Sequence, residues 1–339
     1  MPTSGWAQKD SFHVLGEGWR GSLMVLALTL VTLGLATMRE WIEMAHQWWN
    51  IDTYNHILLV PVVAVWLVSL NREELAKVEP KAWAPGIALV ALAMTLWLIG
   101  RVWGLNLLAH AGAVGVIQSA VLAVMGPRIG VLLALPLAYL AFLVPFGDEI
   151  IPFLQSVTAE MAIALTRWSG IPAVIDGIYI DTPVGLFIVA EECSGVKFLI
   201  AMVTLAVLVS FTRLKSWRRR AALLAASIFV PVLANGVRAW GTIYIAQFAG
   251  LEFAAGFDHI FYGWIFFAVV VAIVLAGAWP FFESEPEDHG YTASDLAGLS
   301  WLKSVEGPSV NAPLIFGAAA GLALLANLAA AHLVPLGTV

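Results

Sequence analysis

The chain has 339 residues, 60% of them hydrophobic and 12% charged, with a mean hydropathy of +0.87 and a net charge of −6. A soluble domain carries about 25% charged residues, so this composition excludes an ordinary soluble protein and requires a lipid solvent for its long apolar runs. The single cysteine excludes an internal disulfide, and the lack of any basic patch interleaved with aromatics excludes nucleic acid as a partner.

Taken in order, residues 1–20 are mixed, and the apolar run 21–38 that follows predicts a first membrane helix. Residues 39–55 combine Arg39, Glu40, Glu43 and Asp52 with Trp41, Trp48, Trp49 and Tyr54, a mixture suited to headgroup depth. Further spans are predicted at about 56–70, 85–100, 106–125 and 129–146. Within 147–192, the stretch 150–166 is apolar but interrupted by Gln155, Ser156 and Glu160, which predicts an amphipathic interfacial helix. Residues 173–190 are rich in β-branched side chains and broken at Asp176-Gly177 and Pro183-Val184-Gly185, which predicts a small hairpin outside the bilayer. Spans at about 193–211, 221–248, 260–279 and 313–333 complete the pattern. The expected fold is therefore an all-α polytopic membrane protein: about nine transmembrane helices, an interfacial amphipathic helix and a small extracytoplasmic β-hairpin. It divides into a catalytic core over 1–280, an acidic cytoplasmic linker over 281–312 and an additional C-terminal helix over 313–339.

Orientation follows from the basic residues. Arg213, Lys215, Arg218, Arg219 and Arg220 crowd one short connector, which the positive-inside rule assigns to the cytoplasm. Counting spans outward from it places Lys9, Arg20, Arg72, Lys77, Lys81, Arg128 and Lys303 on the same side, twelve of the 17 Lys and Arg. The same count brings Cys193, Arg238 and His259 to the opposite membrane face, although up to 66 positions (259 − 193) separate them in sequence.

Three blocks carry the candidate chemistry. In Glu191-Glu192-Cys193-Ser194-Gly195-Val196-Lys197 the thiol stands at a helix N-terminus, where unpaired N–H groups favour a thiolate. Gly195 would admit a substrate backbone, and Lys197 lies one turn on. A lone cysteine in an apolar helix is also ordinary packing material. Arg238, in Asn235-Gly236-Val237-Arg238, is costly inside a membrane segment and could hold a carbonyl or an oxyanion; a snorkelling anchor is the plainer alternative. Asn235 shares its helix face. His259, in Asp258-His259 with Gly263 one turn later, is the natural acid/base near neutrality, or simply an interfacial histidine. Histidine spacing matches no metal site and there is no HExxH, so neither metal nor cofactor is expected.

Together these blocks resemble the signature blocks of the exosortase/archaeosortase family, closest to the exosortase A type. The resemblance extends to Val144-Pro145-Phe146-Gly147, to 166–172 and to Tyr54 and His56, and so covers roughly residues 20–280. Lys197 departs from it, since relatives commonly carry Arg there. The resemblance implies a multi-pass cysteine protease or transpeptidase of the bacterial inner membrane with its active site facing the periplasm. Cys193 would be the nucleophile, His259 the acid/base and Arg238 the oxyanion holder, supported by Glu191, Ser194, Gly195, Lys197, Asn235, Asp258 and Gly263. Its partners would be membrane-anchored proteins that end in a Pro-Glu-Pro-type motif, a transmembrane helix and a basic tail, besides the lipid bilayer itself. Two other classes fit the composition: a transporter or scaffold for polysaccharide export, and an enzyme acting on polyprenyl-linked glycans.

Overall fold

The computed structural model describes residues 17–252, 263–308 and 310–333. Among them, seven helices are long and apolar enough to cross a membrane, and two bent pairs raise the number to nine if each pair forms one span. This is the all-α polytopic architecture expected from composition. The chain divides into two units: Met1–Gln47 with Ile57–Pro145 and Gly290–Val339, and Trp48–His56 with Phe146–His289.

The first unit is built on α1 (Glu17–Ala36), α2 (Met38–Asn50), α3 (Val60–Leu70), the short α4 (Arg72–Ala76), α5 (Pro85–Trp103) and α6 (Asn106–Met125). Hydrophobicity cannot drive helix pairing in lipid, so small residues that admit close backbone approach do so instead. The α5–α6 seam shows this: a Cβ on Gly100 would fall 2.3 Å from the Ala109 nitrogen, and one on Gly112 2.4 Å from the Trp97 nitrogen. The span expected at 129–146 is broken into α7 (Pro127–Leu132), α8 (Ala134–Tyr139) and a 3₁₀ turn (Leu140–Leu143), consistent with Pro136 and the free carbonyls it leaves. Asn71 is buried at the α3–α4 join, where its side-chain nitrogen donates to the Leu132 carbonyl at 3.1 Å.

The connector after residue 281 is more ordered than an acidic linker need be. Short helices Ala293–Gly298 and Ser300–Glu306 lay Leu296 and Leu302 into a core with Trp19, Leu75, Val78, Met125, Ile129 and Leu132. Glu306 pairs with Arg128 through two hydrogen bonds. The C-terminal helix Ala312–Leu333 then buries Ile315, Ala319 and Ala323, a single stripe at four-residue spacing, against the unit's other long helices.

The second unit holds α9 (Ile151–Trp168), a three-stranded antiparallel sheet, α10 (Val196–Arg213), α11 (Trp217–Ala249) and α12 (Gly263–Ala278). The sheet has one strand more than the expected hairpin: β1 (Val174–Asp176), β2 (Tyr179–Thr182) and β3 (Gly185–Ile188). Its two reversals fall at the two breaks visible in the sequence, with Gly177 at φ 58°. The 150–166 stretch does form a helix, but α9 packs along α11 and buries Leu154, Thr158, Ala159, Ala162 and Thr166. Of its polar interruptions, Gln155 meets a protein partner, donating to the Val189 carbonyl. At 33 residues α11 measures about 50 Å, longer than a hydrocarbon core of about 30 Å. The surplus at its C-terminal end packs against the sheet, where Gln247 donates to Thr182 Oγ1 at 3.3 Å.

At the other end of this unit, the acidic run straps the basic connector. Glu283 Oε2 accepts the backbone N–H of Lys215 at 2.7 Å and of Ser216 at 2.9 Å, while Oε1 lies 3.0 Å from Arg219. Arg213 pairs with Glu285 at 2.6 Å.

Candidate functional site

Cys193 lies in a single 3₁₀ turn, Glu191–Ser194, and not in the first turn of α10. Gly195 separates the two as the N-cap of α10. The thiol therefore stands two residues ahead of the helix, near its positive end but off its axis. Gly195 is required twice over. Its φ of +79° is left-handed, and a Cβ there would meet Asn235 Cγ at 2.7 Å. The close approach anticipated for a substrate backbone is thus made by Asn235.

Asn235 is the clamp on this turn. From α11 its buried side-chain nitrogen donates to the Cys193 carbonyl at 2.7 Å and to Thr158 Oγ1 of α9 at 3.0 Å. One amide thereby ties the cysteine turn to two helices. The next residue, Gly236, exists for contact: a Cβ would fall 2.6 Å from Met161 Cε. The strand leading into the turn is held as well, because Gln155 Nε2 donates to the Val189 carbonyl at 2.7 Å. Trp240 Nε1 donates to Ser169 Oγ at 2.8 Å and locks α11 to the end of α9. The Cys193 side chain itself is half-buried against a cluster of Ala159, Ala162, Ile180, Val189 and Ile243.

Two cations gather around one ring beside this turn. Lys197 Nζ lies 5.2 Å, and the Arg238 guanidinium carbon 6.0 Å, from the centre of Phe198. Phe198 stacks on Phe267 with 4.7 Å between centroids. A Cβ on Gly263 would lie 3.8 Å from Phe198 Cζ, which places the start of α12 against the same ring. Ser194 is buried, its Oγ accepting a 3.4 Å bond from the Val196 N–H, and Glu191 is exposed. Cys193, Ser194, Gly195, Lys197, Asn235, Arg238 and Gly263 thus all belong to one neighbourhood. Asp258 and His259 lie outside the described residues.

With this geometry in place, comparison with known proteins is informative. The model of the family described as Transmembrane exosortase matches residues 48–276. The chain belongs to the transmembrane exosortase family. The match contains the cysteine turn, the Asn235–Arg238 block and the start of α12. No curated protein and no solved structure matches the chain. Family membership together with the long apolar helices makes this a multi-pass membrane protein with an exosortase-type role.

Three residues of this neighbourhood escaped sequence reasoning. Phe198 is one apolar residue among many along a membrane helix. Gln155 was visible only as an interruption of an apolar stretch, and Thr158 was not singled out at all. A polar side chain that recurs on one face of such a helix, as Gln155 and Thr158 do three residues apart, is the signal that was available.

Proposed function

We propose that this chain is a cysteine peptidase or transpeptidase that cleaves a Pro-Glu-Pro-type C-terminal sorting signal of exported proteins. The reaction would take place at the periplasmic face of the bacterial inner membrane. The observation that carries this reading is the clamp of Asn235 on the Cys193 carbonyl. A thiol with no chemical task needs no buried amide to fix its backbone, whereas a nucleophile must be held within about half an ångström of its line of attack.

In this mechanism the Cys193 thiolate attacks the scissile carbonyl carbon, and charge develops on the carbonyl oxygen. Arg238 stabilises that oxygen, and Lys197, near the same Phe198 ring, adds positive potential. The C–N bond breaks, His259 supplies the proton to the departing amine, and a Cys193 thioester remains. Water or an acceptor amine then releases the product. The substrate's transmembrane helix stays in lipid and its basic tail on the cytoplasmic side, so the motif stands at the height of the cysteine turn. Half-burial against the Ile180–Ile243 cluster keeps competing water away from the sulfur.

The test is intact-mass spectrometry of the purified enzyme with a motif-bearing substrate. The expected result is an acyl adduct on Cys193 that hydroxylamine removes. Undiminished cleavage by Cys193→Ala would overturn the proposal and return the transporter, scaffold or polyprenyl-glycan readings.

A further inference from the structure

A second polar cluster lies wholly within the first unit, where α2 meets the end of α5 and the start of α6. Its chemistry is unrelated to the cysteine turn. Arg39 pairs with Glu43 at 2.7 Å, His110 Nε2 approaches the other Glu43 oxygen at 3.6 Å, and Arg101 Nη1 lies 3.3 Å from Glu40 Oε1. The Glu40 side chain is only 2% exposed, yet its Oε2 makes no hydrogen bond among the described residues. Arg101 Nε, equally buried, makes none either. Both residues line a cavity of about 270 Å³ with Arg39, Glu43, Trp103 and Asn106. Buried charged atoms left unpaired are costly and uncommon. Here one acceptor and one donor are unmet in the same contacting pair, whose residues line one cavity, and His110 Nε2 beside them makes no hydrogen bond among the described residues either.

We infer that this cavity binds the headgroup of an aminophospholipid. The ammonium donates to Glu40 Oε2, and the phosphate accepts from Arg101 Nε. Three observations select this ligand. The unmet groups are of opposite sign and belong to a pair that is already neutral, so a zwitterion completes them where a simple anion or cation would leave one atom unpaired. The cavity lies at the ends of two membrane helices and is lined by the largely exposed Trp103, which marks headgroup depth. Met38, Ile42 and Leu105 are exposed beside it and offer an apolar surface to the acyl chains. Glu40 Oε2 accepts only from a group that carries a donor hydrogen, so a primary ammonium suits it and a quaternary one, which has none, does not. Arg39, Glu40 and Glu43 precede residue 48, where the family match begins, whereas Arg101 lies inside it, so the site straddles the edge of the matched region.

The experiment is native mass spectrometry of the full chain in mild detergent, with equimolar dioctanoyl phosphatidylethanolamine, phosphatidylcholine and phosphatidylglycerol in competition. Phosphatidylethanolamine is expected to be retained about tenfold better than either competitor, the value of one charge-assisted hydrogen bond. Glu40→Gln, which keeps shape but loses charge, should cut that preference about tenfold while the far-ultraviolet circular dichroism spectrum is unchanged. Equal retention of the three lipids, or preference for phosphatidylglycerol, would overturn the assignment, and the wild-type competition decides this even if the variant fails to fold. A Glu40→Gln protein that is folded and keeps the full preference would overturn it equally.

Discussion

The clamp around Cys193 and the cluster around Glu40 are both polar insertions in an apolar chain, but they are finished differently. Asn235 spends its amide hydrogens on two protein acceptors in separate segments, the Cys193 carbonyl and Thr158. Glu40 and Arg101 meet each other through one contact at 3.3 Å and leave an oxygen and a nitrogen unmet. A completed network fixes backbone, and here it fixes the turn that carries the thiol. An incomplete one fixes little and presents binding capacity. Polar groups in a membrane protein thus divide by what satisfies them: the protein itself, or something brought to it.

The largest effect expected on this contrast is chemical. Cys193→Ala should lower cleavage by about 10³-fold or more, measured as product from a motif-bearing substrate, with the melting temperature in detergent unchanged. Next in size is a break in the ion pair. Arg101→Leu leaves the buried Glu40 carboxyl without its partner and should cost about 3 kcal/mol in chemical denaturation. Asn235→Leu should cost about 1–3 kcal/mol, because the Cys193 carbonyl and the Thr158 hydroxyl lose their donor. Unlike Arg101→Leu, it should also lower kcat. Gly195→Ala belongs beside it, at about 1–3 kcal/mol for the left-handed backbone alone.

The smallest effect concerns the strap at the basic connector. The backbone N–H groups of Ser216 and Lys215, helped by Arg219, hold the Glu283 carboxyl below its ordinary value of 4.5. A depressed carboxyl contributes fully above the unfolded value and loses that contribution as pH falls through the lower folded one. Hydrogen exchange at the Lys215 and Ser216 amides, corrected for intrinsic rates, should therefore show protection at pH 6 that fades below about pH 4.5. Glu283→Gln should flatten this dependence.

Much of this was legible beforehand. Apart from 129–146, each long apolar run became a helix over most of its length, because a stretch with no polar face can satisfy its backbone in lipid only by coiling on itself. The sheet was marked by β-branched residues and by the two Gly/Pro breaks that became its reversals. Cys193 and Arg238 converged because alternating spans return every second loop to one face. The fragmentation of 129–146, the docking of the acidic run through Glu283 and Glu285, and the role of Phe198 were not legible. Each depends on a partner distant in sequence, and an apolar or acidic residue looks the same with or without one.

The sequence by itself determined that this chain lives in a membrane, roughly where it crosses, and which side chains are too costly to be there without purpose. Only the tertiary structure decided that Asn235 and not a substrate occupies the space above Gly195, that Cys193 stands ahead of its helix and not within it, and that Glu40 and Arg101 share a cavity. Burial and periodicity are properties of single segments and can be read along the chain. A hydrogen bond between helices depends on register and distance across tens of residues, and these exist only once the helices have packed.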